Sequence, residues 1–215
     1  MPQAIYFHSF HLFRHSPLVL SKLSDATFRY YRSLGIVSPP TRRGTRGGKS
    51  AKRNDAARKF LLCGHVNARF LNSTKYVIKQ HITTTNLDVL AITEAALSRD
   101  DGDEVLRMAC PKGYSAINFP RPNGRRGGGI AIIYRDSVRV SPVNITFSSR
   151  AFEHSAVSLT VYSASFYLIT VYRPPSLSTD LFLSDFSSYL ELLAASTSKV
   201  MIVGDFNIHI DDHNN

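Results

Sequence analysis

The stretch Lys199-Val200-Met201-Ile202-Val203-Gly204-Asp205-Phe206-Asn207 decides how the rest of the chain is interpreted. Its four consecutive apolar residues predict a fully buried central strand, since a half-buried strand would alternate. Gly204 ends the apolar run, and Asp205 and Asn207 follow it, spaced by two. Because residues i and i+2 of an extended chain point to the same face, this carboxylate and carboxamide would project together. Gly, Asp and Asn also favour turns, so the stretch alone fits a plain turn equally well.

Most of the positive charge of the 215-residue chain lies near its N-terminal end. Residues 1–58 contain 11 Lys and Arg against 2 Asp and Glu, so they carry +9 of the formal net charge of +10. This asymmetry predicts a basic, largely disordered arm over residues 1–58 and a folded domain over residues 59–215. Such an arm seeks polyanions, nucleic acid before an acidic membrane surface, although it also suits solubility or targeting.

Within the arm, residues 38–50 combine Pro, Gly and Arg and contain too little apolar surface to fold. Arg42, Arg43 and Arg46 of this run are candidate nucleic-acid-binding residues, because guanidinium groups contact phosphates irrespective of base sequence. The same run fits a nuclear-import signal equally well.

Other features exclude several classes of protein. No apolar run approaches the roughly 20 residues that span a bilayer, so no membrane partner is expected. Histidine and arginine residues interrupt the apolar stretches near the N-terminus, which argues against a signal peptide and secretion. Cys63 and Cys110 are too few for a disulfide framework and lack metal-site spacing. We therefore expect a nuclear or cytoplasmic protein without a small-molecule cofactor.

From Phe60 onward the hydrophobic pattern predicts an α+β domain. Helices are expected over Leu71–Thr83, Glu104–Ala109 and Thr179–Ala195, and strands over Phe60–Asn67, Leu87–Thr93, Tyr114–Phe119, Gly129–Arg135, Val138–Phe147, Val157–Tyr162, Phe166–Tyr172 and the C-terminal stretch. One strand–helix–strand unit thus precedes a block of strands, and a helix and a strand follow. That order favours packed sheets with helices outside over a doubly wound parallel sheet.

Polar residues end four of these strands: Asn67, Glu94, Tyr172, and Asp205 with Asn207. Oxygen ligands of this kind suit Mg²⁺ or Mn²⁺, and Mg²⁺ needs few of them because it keeps waters and binds substrate phosphate. Taken singly, each residue has a simpler explanation. Asn67 fits a helix cap, Glu94 a solvated loop residue and Tyr172 an aromatic at the edge of the core.

The connector Pro120–Gly129 contains Arg125 and Arg126 and ends in three glycines. Arginines and open backbone N–H groups bind phosphate, so Arg125 and Arg126 are further candidate nucleic-acid-binding residues. The connector is not a P-loop, because the Gly-Lys-Ser/Thr sequence is missing. A flexible turn before the next strand explains the same residues equally well.

Five blocks of the sequence, in order, resemble the endonuclease/exonuclease/phosphatase superfamily. They are LLCGHVNAR (residues 61–69), DVLAITE (88–94), RRGGGIAIIY (125–134), TVYRPP (170–175) and IVGDFN (202–207). More narrowly, they are similar to the apurinic-type endonuclease domain of LINE-type non-LTR retrotransposons. The resemblance covers residues 59–215.

This resemblance implies a four-layer α/β sandwich and a hydrolase that cleaves phosphodiesters with a divalent metal. Its partner would be DNA, nicked to prime reverse transcription. Carried over by position, Asn67 and Glu94 would hold or orient the Mg²⁺ or Mn²⁺, and Tyr172 would contact the scissile phosphate. Asp205 would align the nucleophilic water, and Asn207 would steady the phosphate or the aspartate.

The chain departs from the family pattern in two places. The family follows its glutamate with Thr-Trp, whereas Ala95 and Ala96 stand here and are expected to loosen the packing that aims Glu94. The family pattern also continues, past the position of Asn215, to a closing Ser-Asp-His. We therefore expect an incomplete sandwich, in which the partner sheet built after Asp-x-Asn is missing, and weak or absent activity.

The sequence leaves three functions open. The first is a DNA-nicking endonuclease domain of retrotransposon origin. The second is a non-enzymatic nucleic-acid-binding remnant in which the basic arm does the binding. The third is a phosphatase of the same superfamily acting on inositol phosphates or sphingomyelin, although the Arg-Gly-Gly-Gly and Tyr-Arg-Pro-Pro blocks favour the retrotransposon branch.

Overall fold

The computed structural model describes residues 4–11, 60–98, 100, 102–121, 127–161, 164–196 and 199–208. Its elements are strands β1 (Ala4–His11), β2 (Phe60–Asn67), β3 (Val89–Thr93), β4 (Tyr114–Phe119), β5 (Ile130–Arg135), β6 (Arg139–Pro142), β7 (Glu153–Val161), β8 (Ala164–Tyr172) and β9 (Val200–Asp205), and helices α1 (Leu71–Thr85), α2 (Gly102–Ala109) and α3 (Thr179–Ser196). The sequence predicted no element at β1. The predicted disorder of the remaining arm concerns residues outside the described ranges.

The strands form two sheets. The first has the order β1-β2-β3-β5-β4 and the second the order β6-β7-β8-β9. Strands β2 and β3 of the first sheet are parallel, as are β8 and β9 of the second, and the helix between the two strands of each pair makes the crossover. A parallel pair needs such a crossover because its strands run in the same direction.

Three apolar cores separate four layers. The first core lies between the first sheet and helices α1 and α2, and includes Ile78, Ile82 and Leu90. The second lies between the sheets, and the third between the second sheet and α3. The predicted α+β sandwich of four layers is therefore confirmed. None of the helices in the described part of the chain is long and apolar enough to cross a bilayer.

Strand β3 lies between two apolar cores and is buried on both of its faces. All five of its residues are buried, because the even-numbered ones face the helices and the odd-numbered ones face the second sheet. Val89 and Ala91 thus pack against side chains of the second sheet, while Leu90 and Ile92 pack beneath α1. A run without alternation was the sequence signal for such a strand.

The structure corrects two expectations about the sheets. The partner sheet is not missing, because residues 139–205 themselves supply its strands β6 to β9. The strand predicted over Val138–Phe147 is shorter, since only Arg139–Pro142 pairs with β7. Residues beyond Pro142 leave the sheet, and Val143, Ile145 and Phe147 pack against the third core instead.

Gly204 lies within β9, opposite Val171 of β8. A Cβ atom at Gly204 would overlap the Val171 carbonyl oxygen and lie 2.8 Å from its carbonyl carbon. Glycine is therefore needed for the close approach of two backbones. This approach carries β9 one residue further, to Asp205 beside Tyr172.

We predict that Gly204→Ala destabilises the domain by about 3 kcal/mol or more, the upper end of the usual cost of overpacking, because the added Cβ would meet backbone rather than a side chain that can move. Urea denaturation with an unchanged m-value measures the loss. Gly113→Ala is the matched control, because a Cβ there meets nothing within 4 Å and only the φ of +83° is unfavourable. Its cost should be about 1–2 kcal/mol. A Gly204→Ala loss no larger than that of the control would contradict the backbone clash.

Candidate active site

The carboxyl-terminal ends of four strands carry the polar residues singled out by the sequence. In the first sheet Asn67 of β2 stands beside Thr93 of β3, and Glu94 follows directly. In the second sheet Tyr172 of β8 stands beside Asp205 of β9. Hydrogen bonds link these side chains across the two sheets, so the structure brings together Asn67, Glu94, Tyr172 and Asp205.

The Asn67 side chain joins the sheets at this point. Its Nδ2 atom donates to Glu94 Oε1 at 2.8 Å and to Asp205 Oδ2 at 2.6 Å. Its Oδ1 atom accepts the backbone N–H of Arg69 at 3.0 Å. Asn67 is therefore not the cap of α1, whose N-cap position is Phe70 and has no side-chain cap. One shared donor instead holds two like-charged carboxylates side by side.

Tyr172 is buried, and its hydroxyl group donates to the Glu94 carboxylate. Burial raises the pKa of Tyr172 well above its usual value, and the charges of Glu94, Glu153 and Asp205 raise it further. The phenol therefore stays protonated across the neutral range and can serve as a hydrogen-bond donor.

Asn207 lies two residues beyond the end of β9, with a φ of +49°. Its backbone N–H donates to Asp205 Oδ1 at 3.1 Å, and its side-chain Nδ2 donates to the Arg173 carbonyl oxygen at 2.6 Å. The prediction that the side chains of Asp205 and Asn207 project together is therefore wrong, because the left-handed turn breaks strand alternation. Asn207 holds the aspartate through its backbone.

Arg173 holds the same turn, and the sequence analysis did not single it out. Its side chain is buried, and Nη1 donates to the carbonyl oxygens of Phe206 and Asn207 at 3.2 and 2.7 Å. Its Nη2 atom reaches the Leu177 carbonyl oxygen and Thr179 Oγ1. The planar fork of a guanidinium suits several fixed acceptors at once. An arginine directly after a buried strand was the available signal.

The glycines at the end of the connector pack against the loop that carries Glu94. The Ala95 N–H donates to the Gly129 carbonyl oxygen at 3.1 Å, and the Ala96 N–H donates to that of Gly128 at 2.7 Å. Backbone hydrogen bonds thus hold this loop, although Ala95 and Ala96 were expected to loosen the packing around Glu94. Glu94 itself has a φ of +50°, a conformation that its surroundings must impose.

Glu153, the first residue of β7, binds the same glycine segment. Its Oε2 atom accepts the Gly129 N–H at 2.7 Å, and its Oε1 atom accepts Arg121 Nε at 2.5 Å. A Cβ at Gly128 would lie 2.9 Å from the Arg121 guanidinium carbon, so a side chain has no room there. Glu153 also pairs with Tyr172 in the register of β7 and β8, which places this ion pair at the edge of the site.

The candidate nucleic-acid-binding residues are not brought to this site by the described structure. Arg125 and Arg126 of the connector, and Arg42, Arg43 and Arg46 of the arm, all lie outside the described residues. Their assignment stays a prediction from the sequence.

The side chains present fit a magnesium-type cation with few protein ligands. Within the described ranges, no group of three or more His, Cys, Asp or Glu side chains forms a metal cluster. Glu94 and Asp205 are nevertheless neighbours through Asn67, and no Lys or Arg of the described part of the chain forms an ion pair with either. Two adjacent, unneutralised carboxylates are a suitable donor set for a hard divalent ion that completes its shell with water and phosphate.

Comparisons with known proteins agree with this architecture. The model of the endonuclease/exonuclease/phosphatase family matches residues 64–214. The catalytic domain of human nocturnin with bound sulfate is similar with a TM-score of 0.51 and 17% identity, covering 66% of this chain and 62% of that one. A mannosyl-6-phosphatase of Bacteroides thetaiotaomicron has a TM-score of 0.52 and 15% identity, with 68% and 65% covered. The endonuclease domain of TRAS1, a telomere-specific non-LTR retrotransposon, has a TM-score of 0.46 and 13% identity, with 68% and 58% covered.

The likenesses to nocturnin and to the mannosyl-6-phosphatase concern the fold, and the TRAS1 likeness, with its TM-score below 0.5, carries no argument. Identities this low do not transfer a substrate, since one fold serves many reactions. The chain spans less than two thirds of the nocturnin domain, 62% of its length. The search of curated proteins found no match.

We predict that Arg173→Lys weakens Mn²⁺ binding about tenfold or more, because groups that orient metal-site residues typically contribute 10–100-fold. Lysine cannot bond four acceptors on two segments at once, so the turn after Asp205 should loosen. Isothermal titration with Mn²⁺ measures the affinity, and Arg139→Lys on the exposed face of β6 is the control. Unchanged affinity in Arg173→Lys would show that the turn does not depend on this side chain.

Proposed function

Because this chain belongs to the endonuclease/exonuclease/phosphatase family, we propose that it hydrolyses phosphodiesters with a divalent cation bound at Glu94 beside Asp205. The observation that supports this most strongly is the Asn67 amide, which holds carboxylates from two sheets together. Two carboxylates held side by side repel each other, so their placement is unfavourable by itself. A cation bound between them would offset this repulsion.

Glu94 is the proposed ligand, and Asn67 orients it, since the amide turns its nitrogen toward the carboxylates. Mg²⁺ or Mn²⁺ in this position would neutralise a phosphate oxygen and stabilise the leaving oxyanion. Asp205 accepts hydrogen bonds from Asn67 and from the Asn207 backbone, which fix its orientation. We assign Asp205 to orienting an attacking water and accepting its proton.

Tyr172 is the proposed phosphate contact. Its high pKa keeps the phenol protonated, so the hydroxyl group can donate to a phosphate oxygen in place of Glu94. Glu153, the strand neighbour of Tyr172, holds Arg121 in an ion pair, and we assign this guanidinium to a contact with a flanking phosphate. Together these residues bind a charged diester and leave the reacting atoms between Tyr172 and Asp205.

The finer proposal is DNA nicking by an endonuclease of retrotransposon origin, located in the nucleus or the cytoplasm. It rests on the five sequence blocks and on their order, which resemble one branch of the family more specifically than membership of the family does. The chain's bias toward positive charge, +9 in residues 1–58, supports a polyanionic partner. That same bias favours the second candidate, a remnant that binds nucleic acid through its arm without turnover.

We predict that the purified chain slowly converts supercoiled plasmid to nicked circles and slowly cleaves bis(p-nitrophenyl) phosphate when Mg²⁺ or Mn²⁺ is present, in keeping with the weak activity expected from the sequence. Asp205→Asn should lower both rates by at least about 100-fold, since loss of a proton acceptor typically costs 10²–10⁴-fold. Chelation with EDTA should abolish both reactions.

Glu191→Gln is the matched control, because Glu191 is exposed on α3 and remote from the strand ends. A panel of inositol phosphates and p-nitrophenyl phosphate tests the phosphatase alternative. Equal rates for wild type and Asp205→Asn would contradict the catalytic assignment. Salt-sensitive plasmid binding without any turnover would favour the binding remnant.

A further inference from the structure

Phe70, in the loop between β2 and α1, leaves 59% of its surface exposed. Its φ is +78°, and that of the preceding Arg69 is +43°. Two successive non-glycine residues therefore adopt positive φ values, which is uncommon and especially unfavourable for a bulky side chain. This outlier lies three residues beyond Asn67.

Hydrogen bonds to the neighbouring loop impose this conformation. The Phe70 N–H donates to the Glu94 carbonyl oxygen at 2.9 Å. On either side, Ala68 and Leu71 make corresponding bonds at 2.9 and 3.0 Å to the residues flanking Glu94. The Phe70 backbone is therefore held directly against the residue proposed to bind the cation.

The ring contributes little to the fold itself. Most of its surface stays in water, so it gains only a part of the stabilisation that burial would give. Its backbone conformation costs stability, and Gly or Asn would adopt it at a lower cost. Phe70 is also absent from the three apolar cores of the described residues. A strained, exposed aromatic beside a candidate active site points to a contact made outside the chain.

The chemistry of the loop indicates which contact. Arg69 is exposed next to Phe70 and supplies a positive charge. An aromatic platform with a neighbouring guanidinium is the combination that binds single-stranded nucleic acid, because every base has a π-face and every nucleotide a phosphate. An inositol phosphate or a sphingolipid headgroup has no flat ring for Phe70 to stack on.

We propose that Phe70 stacks on an unpaired base next to the phosphodiester that this site hydrolyses, while Arg69 contacts the adjoining phosphate. The inference rests on the proposed function and narrows its substrate to single-stranded nucleic acid, or to a duplex in which the base beside the scissile bond is extruded. It assigns to these two residues the choice of substrate, and leaves the reaction to Glu94, Tyr172 and Asp205.

The test uses the full chain and a mixed-sequence single-stranded oligodeoxynucleotide that contains 2-aminopurine and a fluorescein label. Phe70→Asn removes the ring but tolerates positive φ. We expect it to raise the Kd measured by anisotropy about tenfold, since one stacked base contributes between about fivefold and 150-fold. Stacking on Phe70 should quench the fluorescence of 2-aminopurine in the wild-type complex, and this quenching should disappear in Phe70→Asn. The melting temperature of the variant should not fall. Phe70→Trp should keep both affinity and quenching.

Tyr76→Ala is the matched control, because Tyr76 is 66% exposed on α1 and has an ordinary helical backbone. It should leave the Kd and the quenching unchanged. The proposal is overturned if Phe70→Asn binds and quenches like wild type, or if Tyr76→Ala weakens binding to the same extent.

The results for base stacking and for hydrolysis show separately whether this inference or the proposed function fails. If Asp205→Asn abolishes hydrolysis of bis(p-nitrophenyl) phosphate but Phe70→Asn leaves quenching intact, the proposed function stands and this inference fails. If wild type hydrolyses nothing and quenching still depends on Phe70, the base-stacking site stands and the hydrolase proposal fails.

Discussion

The Asn67 amide nitrogen, shared between the carboxylates of Glu94 and Asp205, is the contact on which the site depends. It joins the two sheets through residues that are 138 positions apart in the chain. A donor at 2.8 and 2.6 Å offsets part of the repulsion between two carboxylates, but it does not neutralise them. The residual negative charge is the basis of the proposal that a hard cation binds here.

The surrounding structure brings the Asn67 amide and the carboxylates of Glu94 and Asp205 within hydrogen-bonding distance of each other. Gly204 lets β9 approach β8 closely enough to carry Asp205 to the strand end, and Arg173 holds the turn that follows. On the first sheet, Gly128 and Gly129 bond the loop after Glu94. Each side chain of the site therefore stands on backbone that is bonded to a neighbouring segment, which is how sites are held to a defined geometry.

Strand-end polarity in the sequence made Asn67, Glu94, Tyr172 and Asp205 candidates for one site, because the ends of buried neighbouring strands meet at one edge of a sheet. Taken singly each had a simpler explanation, and the order of the five sequence blocks favoured their convergence. The same logic failed at Asn207, since alternation applies only while the chain stays extended and φ there is +49°. It also missed Gly204, because a close approach between backbones depends on the partner strand. Arg173 and Phe70 act through loop contacts distant in sequence, and no periodic pattern marks such contacts. The resemblance to a family supplied what the pattern could not, namely the chemistry.

The measurement that tests the central claim most directly is the position of Mn²⁺ in crystals of the chain, located by its anomalous scattering. The account predicts one strong peak bonded to the Glu94 carboxylate in the space shared with Asp205, with Asn67 still in contact with the carboxylates. A peak that touches neither carboxylate, or no peak at Mn²⁺ concentrations that support hydrolysis, would contradict it.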